Sequence, residues 1–168
     1  MGRVANQRIW APWRLKYVKH AKEDADGSCI FCSFAGEGED RDQANLIVHR
    51  GETCFVILNK FPYTNGHLMV APYEHIGSLP EVPADTSAEM MALVNRGMTA
   101  LQEIYEPQGF NVGVNQGRVA GAGVEHHIHM HVVPRWGGDN NFMPVLADTR
   151  VMPQSLEESY AALAESFD

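Results

Sequence analysis

The run His127-Ile128-His129-Met130-His131-Val132-Val133-Pro134-Arg135-Trp136 alternates histidine with apolar residues over its first six positions. In a β-strand successive side chains point to opposite faces. His127, His129 and His131 then share one face, and Ile128, Met130 and Val132 the other. A helix would scatter both sets around its circumference. The run therefore reads as a strand whose apolar face seeks a core and whose imidazoles stand in a row, about 7 Å apart from the strand rise. A lone histidine on a strand is commonly a structural residue. Three at strict period two, preceded by His126, are hard to explain as packing. Imidazole is a nucleophile, a proton carrier near neutral pH and a metal ligand, and the rest of the chain must say which of these roles is used.

The chain has 168 residues, enough for one domain with a full core and short for two. Its formal charge of −8 argues against a general nucleic-acid binder, which needs a basic face, although a local anion pocket remains compatible. No apolar run approaches the length of a membrane span, and the first residues lack the apolar core of a signal peptide. Three cysteines, two of them in a CxxC, suit a reducing cytoplasm better than a secreted disulfide scaffold. The expectation is a cytoplasmic protein with no membrane and no nucleic-acid partner.

Working outward from the histidine strand, residues 1–28 form an N-terminal arm containing Gln7-Arg8-Ile9-Trp10-Ala11-Pro12-Trp13-Arg14, residues 29–145 the core and residues 146–168 a C-terminal segment of one domain. Cys29 and Cys32 can present two sulfurs to one metal ion. A redox pair or two plain buried thiols are the alternatives, and histidines are the best candidates for further ligands. Strands are expected at 46–49, 54–59, 67–72 and 110–115, with the second and third antiparallel across Phe61-Pro62-Tyr63-Thr64-Asn65-Gly66. Residues 86–105 read as the main helix: Thr86 and Glu89 suggest a capping box, and Met90, Val94, Met98, Leu101 and Tyr105 fall on one stripe. A Gly/Ala loop from Gln116 to Gly123 leads into the histidine strand, where backbone N–H groups can approach an anion. Ser155 and Glu158 suggest a second capping box, ahead of a helix with Leu156, Tyr160, Leu163 and Phe167 inward. The fold class is α+β: an antiparallel sheet of about five strands, one long helix and a C-terminal helix.

The His-apolar-His-apolar-His-apolar-apolar pattern at 127–133 resembles the histidine-triad superfamily. Asn59, Gly66-His67, His75, the helix, the strand ending at Asn115 and the glycine loop follow in that family's order. The N-terminal Trp-Ala-Pro-Trp-Arg and the Val-Val-Pro-Arg-Trp-Gly-Gly-Asp run resemble its bacterial diadenosine-polyphosphate phosphorylase branch, related to the fragile-histidine-triad hydrolases. The resemblance implies that His129 attacks the α-phosphate of a nucleotide and forms a nucleotidyl-histidine intermediate. It implies that His131 hydrogen-bonds the phosphate or scissile oxygen, and that His67 completes the cluster. Asn59 matches the ribose-binding position, and Asn115 with Gly121, Ala122 and Gly123 the positions that hold the phosphate and its acceptor. It further implies a structural zinc on Cys29, Cys32, His75 and His127, with His49 as the competing ligand, no organic cofactor, and a homodimer whose C-terminal segment lies near the partner's site. Asn115 stands where the hydrolase branch has glutamine. The shorter side chain leaves room for inorganic phosphate as acceptor in place of water. Hydrolysis of dinucleoside polyphosphates or nucleoside phosphoramidates, a non-catalytic nucleotide-binding module, and a catalytic metal on the histidine row are the competing readings.

Overall fold

The computed structural model describes residues 29–139 and 152–167; the N-terminal tryptophans, His20 and residues 140–151 lie outside them. Five strands, β1 (Ile47–Arg50), β2 (Cys54–Leu58), β3 (Leu68–Pro72), β4 (Gly109–Val114) and β5 (Met130–Arg135), form one sheet. Its spatial order is β1-β2-β3-β5-β4, and every neighbouring pair is antiparallel. Among the described residues four α-helices accompany it: α1 (Ile30–Gly36), α2 (Asp42–Asn45), α3 (Ala84–Tyr105) and α4 (Leu156–Phe167). The α+β architecture expected from the sequence is the one observed.

Strand alternation divides the core between the two faces of the sheet. On one face Val56, Leu58, Leu68, Val70, Ile128 and Val132 pack with Met90, Val94 and Leu101 of α3 and Leu163 and Phe167 of α4. Each such buried aliphatic or aromatic side chain contributes about 1.5–3 kcal/mol, so this face carries most of the hydrophobic stabilisation. On the other face Phe31 of α1 packs with Ile47, Phe55, Ile57, Met69 and Ala71. This second cluster is smaller, and it leaves the β5–β4 end of its face to polar groups. The histidines stand there.

The two capping boxes differ. Ser155 and Glu158 exchange both reciprocal bonds, each 3.1 Å. At α3 the expected pair does not cap. The helix begins at Ala84 behind Pro83, Thr86 is buried within its first turn, and Glu89 reaches away from the helix. Its carboxylate accepts from the backbone N–H groups of Glu52 and Thr53, both at 2.6 Å, and from the Thr53 hydroxyl. The β1–β2 turn thus competes for the carboxylate and wins. Burial raises the Glu89 pKa, but the Thr53 hydroxyl and the backbone donors outweigh it, and the net shift is downward. A depressed carboxylate stabilises the fold above its unfolded pKa and loses that contribution as pH falls. Glu89→Ala is expected to cost roughly 1–2 kcal/mol at pH 7, from lost charge-assisted bonds. In urea unfolding, the gap between wild type and variant should shrink as pH drops below about 4.

Candidate active site

The regular β5 ladder begins at Met130, and His127–His129 lie just ahead of it in an extended segment. That segment stays with the sheet because Ile128 N–H donates to the Ile76 carbonyl at 2.6 Å, continuing the line of β3. Ile128 and Val132 point into the helix-covered core, as the alternation predicts. His127, His129 and His131 lie on the other side, all buried. They are closer together than an ideal strand would place them: the rings of His129 and His131 are 4.9 Å apart and nearly perpendicular. Phe31 sits beneath the row, its ring 5.1 Å from that of His127 and 4.9 Å from that of His129.

Hydrogen bonds assign the imidazole protons. A carbonyl only accepts, so the 2.8 Å contact between His129 Nδ1 and the His127 carbonyl places a proton on Nδ1 and a lone pair on Nε2. Burial lowers the His129 pKa, and the backbone bond offsets this only in part, which favours the neutral ring with its lone pair on Nε2. The neighbouring pair is fixed by a longer chain. Tyr63 N–H donates to His67 Nδ1 at 3.1 Å, so His67 carries its proton on Nε2. That proton is donated to His131 Nδ1 at 3.0 Å. His131 in turn bears its proton on Nε2; the Asn115 Nδ2 lies 3.4 Å away and is itself a donor, so the Asn115 amide must turn its oxygen to that N–H to accept from it. The cluster therefore presents one nitrogen lone pair, on His129, beside one N–H donor, on His131.

His67 owes its place to the residue before it. Gly66 has φ +74°, and a Cβ there would lie 2.6 Å from Leu101 Cδ2 and 2.9 Å from the Tyr105 ring. Only glycine both adopts that turn and lets the chain pass under α3. Asn59 closes the same loop: its Oδ1 accepts from Phe61 N–H at 2.9 Å, and its Nδ2 lies 3.3 Å from His67 Nδ1. The glycine loop is a short 3-10 turn at Arg118–Ala120. The N–H groups of Gly121 and Ala122 donate within it, to Arg118 and Gly117 carbonyls, so two of the expected anion donors are engaged internally.

The CxxC motif finds its partners. Cys29 stands at the N-cap of α1 and Cys32 one turn in. One ligand atom from each of Cys29, Cys32, His75 and His127 lies within 4.8 Å of the others. His127 Nε2 donates to the Pro72 carbonyl at 2.8 Å, which leaves Nδ1 as the lone pair facing Cys29 Sγ at 3.3 Å and Cys32 Sγ at 3.5 Å. His75 Nδ1 lies 3.2 Å from Cys32 Sγ. A tetrahedral zinc keeps N and S ligand atoms roughly 3.4–3.8 Å apart, so the four groups are close to a closed ligand set. Burial and the adjacent Cys29 push the Cys32 thiol pKa up, as expected of two sulfurs that need a cation to ionise together. Arg50 secures α1 behind them: it donates to the carbonyls of Ala35 at 2.9 Å and Glu37 at 3.0 Å and pairs with Asp42 at 2.7 Å. His49 is elsewhere, stacked on Phe167 with ring centroids 5.3 Å apart. His126 is exposed and Cys54 is buried core.

Sequence reasoning missed three contributors. Tyr63 supplies the N–H that sets the His67 tautomer, and its ring packs 4.5 Å from His67 and 5.9 Å from His131. Gly113 pairs with His131 across the ladder. Arg135 lies within the quoted motif, but its bonds to Asp139 and Asn111 are not readable from spacing. A cavity of about 320 Å³ opens beside His131, lined also by Tyr63, Asn111, Gly113, Asn115 and Arg135.

An antiparallel sheet that delivers a buried histidine row to the face opposite its long helix, braced by a cysteine–histidine cluster, defines a class of α+β proteins organised around a histidine triad. The HIT domain model matches residues 40–138, and the chain belongs to the HIT family. It is 38% identical over 161 residues to the AP-4-A phosphorylase of Mycobacterium tuberculosis strain H37Rv, covering 94% of this chain and 83% of that protein. The crystal structure of a zinc-bound histidine triad family protein from Mycobacterium smegmatis superposes with a TM-score of 0.66 at 33% identity, covering 83% of this chain and 93% of that one. A uridylyltransferase mutant structure shares the fold alone, with a TM-score of 0.69 at 14% identity over 95% of this chain and 54% of that one.

The ligand geometry has a direct test. Titrating metal-free protein with cobalt(II) should give the visible bands of a tetrahedral thiolate site at one equivalent. Cys32→Ser should weaken or abolish them, whereas Cys54→Ser should leave them unchanged.

Proposed function

We propose that the chain is a nucleotidyl transferase that cleaves diadenosine polyphosphates, with inorganic phosphate as acceptor. The observation that carries this reading is the His129 ring, held neutral with Nδ1–H on the His127 carbonyl and Nε2 as the lone pair. Its 38% identity to an AP-4-A phosphorylase, within the HIT family, makes it a HIT-family enzyme and supports the substrate class.

In this mechanism His129 Nε2 attacks the α-phosphorus. The N–P bond forms as the bond from phosphorus to the bridging oxygen breaks, and a nucleoside polyphosphate departs. One hard displacement becomes two easier ones. His131 Nε2–H stabilises the charge that develops on the phosphoryl or departing oxygen. Asn59 holds the ribose of the retained nucleotide, and Asn115 and the segment Gly121-Ala122-Gly123 border the acceptor. A phosphate oxygen then attacks, the N–P bond breaks, and a nucleoside diphosphate leaves with His129 restored. The short Asn115 side chain, beside His131 Nε2, favours phosphate over water as the acceptor.

The four-ligand cluster fits a structural zinc. Bound on Cys29, Cys32, His75 and His127, the ion would brace α1 against the triad segment. No reaction step passes through it, because its ligand set is closed. A homodimer is part of the same reading. β4 is an edge strand with Asn111, Val112 and Gly113 exposed, Val112 at 41%. An exposed edge strand invites pairing with a second copy. Val112→Pro should therefore shift the sedimentation coefficient toward that of a monomer.

Two measurements test the chemistry. Diadenosine tetraphosphate should be consumed with phosphate present and should stall when phosphate is removed. Unchanged turnover without phosphate points to hydrolysis. On brief mixing, intact-mass analysis should show a nucleotide adduct on wild type and none on His129→Ala. His129→Ala retaining turnover would end the proposed mechanism.

A further inference from the structure

On β4 a glycine stands opposite His131, the N–H donor of the cluster. Gly113 pairs with His131, and a Cβ built on it meets no atom within 4 Å. Its φ is not among the positive values, so the backbone does not require glycine there. Glycine within a strand gives up packing, and it marks places where another molecule comes close. The space it leaves is the cavity of about 320 Å³. That is at the lower end of small-molecule sites, room for one nucleoside-sized group and not for a whole dinucleotide.

The two ends of the cavity differ in chemistry. At one end His131 and Asn115 offer hydrogen bonds beside the nucleophile, which suits phosphoryl oxygens. The other end lies four residues along β5, about 13 Å from His131 by the strand rise. There Arg135 donates to both Asp139 oxygens, at 2.5 and 3.0 Å, and to Asn111 Oδ1 at 2.6 Å. The carboxylate neutralises the guanidinium, so a phosphate placed there would face Asp139. An uncharged, polar group is the better match. The walls between are Tyr63 and Val133. His129 does not line the cavity, so this space lies to one side of the attacking atom, across β5 from Asn59 on the β2–β3 side.

We propose that this cavity receives the nucleoside end of the departing nucleoside polyphosphate, and that Gly113 is the specificity-determining residue that keeps it open. The inference rests on the nucleotidyl-transfer reading above and extends it to the leaving group.

The test compares two substrates with the same transferred nucleotide. Diadenosine tetraphosphate carries a distal nucleoside; adenosine 5′-phosphorofluoridate leaves only fluoride. Gly113→Leu fills the cavity from an open position, and Gly113→Ala fills it partly. Thermal unfolding verifies that both variants fold. The ratio of kcat/KM for the first substrate over the second should fall at least tenfold in Gly113→Leu and by less in Gly113→Ala. An unchanged ratio overturns the proposal, as does an equal loss on both substrates, which would mean that the added side chain disturbs the histidines. A constant ratio with a raised KM for inorganic phosphate overturns it in favour of an acceptor site. If wild type turns over neither substrate, the nucleotidyl-transfer reading itself fails and takes the subsite with it.

Discussion

His127 commits both ring nitrogens and its backbone carbonyl to three different parts of the molecule. Nε2–H bonds the end of β3 at Pro72, Nδ1 faces the two cysteines, and the carbonyl takes the proton of His129 Nδ1. The sheet, the cysteine-bearing helix and the His129 imidazole are thereby tied through one residue. Burial lowers the His127 pKa and favours the neutral ring, while its bond to Pro72 opposes this in part. Only the neutral ring can donate at Nε2 while offering a lone pair at Nδ1. A protonated His127 would turn a donor N–H toward the sulfurs and could no longer offer a lone pair beside them.

The same economy runs through His67, His129 and His131. Each of these rings has one nitrogen settled by a backbone group or another ring, and this leaves the second nitrogen defined. His129 is settled by a carbonyl and so offers an acceptor; His131 is settled through His67 by an amide N–H and so offers a donor. Two chemically identical side chains acquire opposite roles from the polarity of the backbone group at the far end of each chain. Side-chain identity at 67 matters less than its capacity to pass that polarity on, which requires one acceptor and one donor held in fixed geometry.

Much of this was legible in the sequence because it depends on local periodicity. Period two placed Ile128 and Val132 in the core and the histidines opposite them, and the stripe from Met90 to Tyr105 placed α3. The resemblance brought Cys29, Cys32, His75 and His127 together, as the geometry does. What failed to show depends on distant partners. Glu89 matches a capping box by spacing, yet the unmet N–H groups of Glu52 and Thr53 take its carboxylate. The imidazoles stand closer than the strand rise suggests, because side chains converge where backbone rise alone cannot show it. Tyr63 acts through its N–H, which no residue letter reveals. A pattern in one segment reports which face a side chain takes, and not which group elsewhere reaches it first.

The asymmetry of the sheet explains why the polar groups survive where they are. The helix-covered face holds the large apolar cluster, so the opposite face is released from supplying most of the stability. Buried histidines are tolerable there only because each has hydrogen-bond partners; among the described residues no buried side-chain polar atom lacks one. The β4 edge extends the same division of labour. It carries glycine at 109 and 113 and asparagine at 111, residues poor in packing energy, on the strand farthest from α1. On the histidine face such a strand adds little packing, while Phe110 and Val114 join the core on the other. Its contribution is shape: beside the histidines, it holds open a space that larger side chains would close.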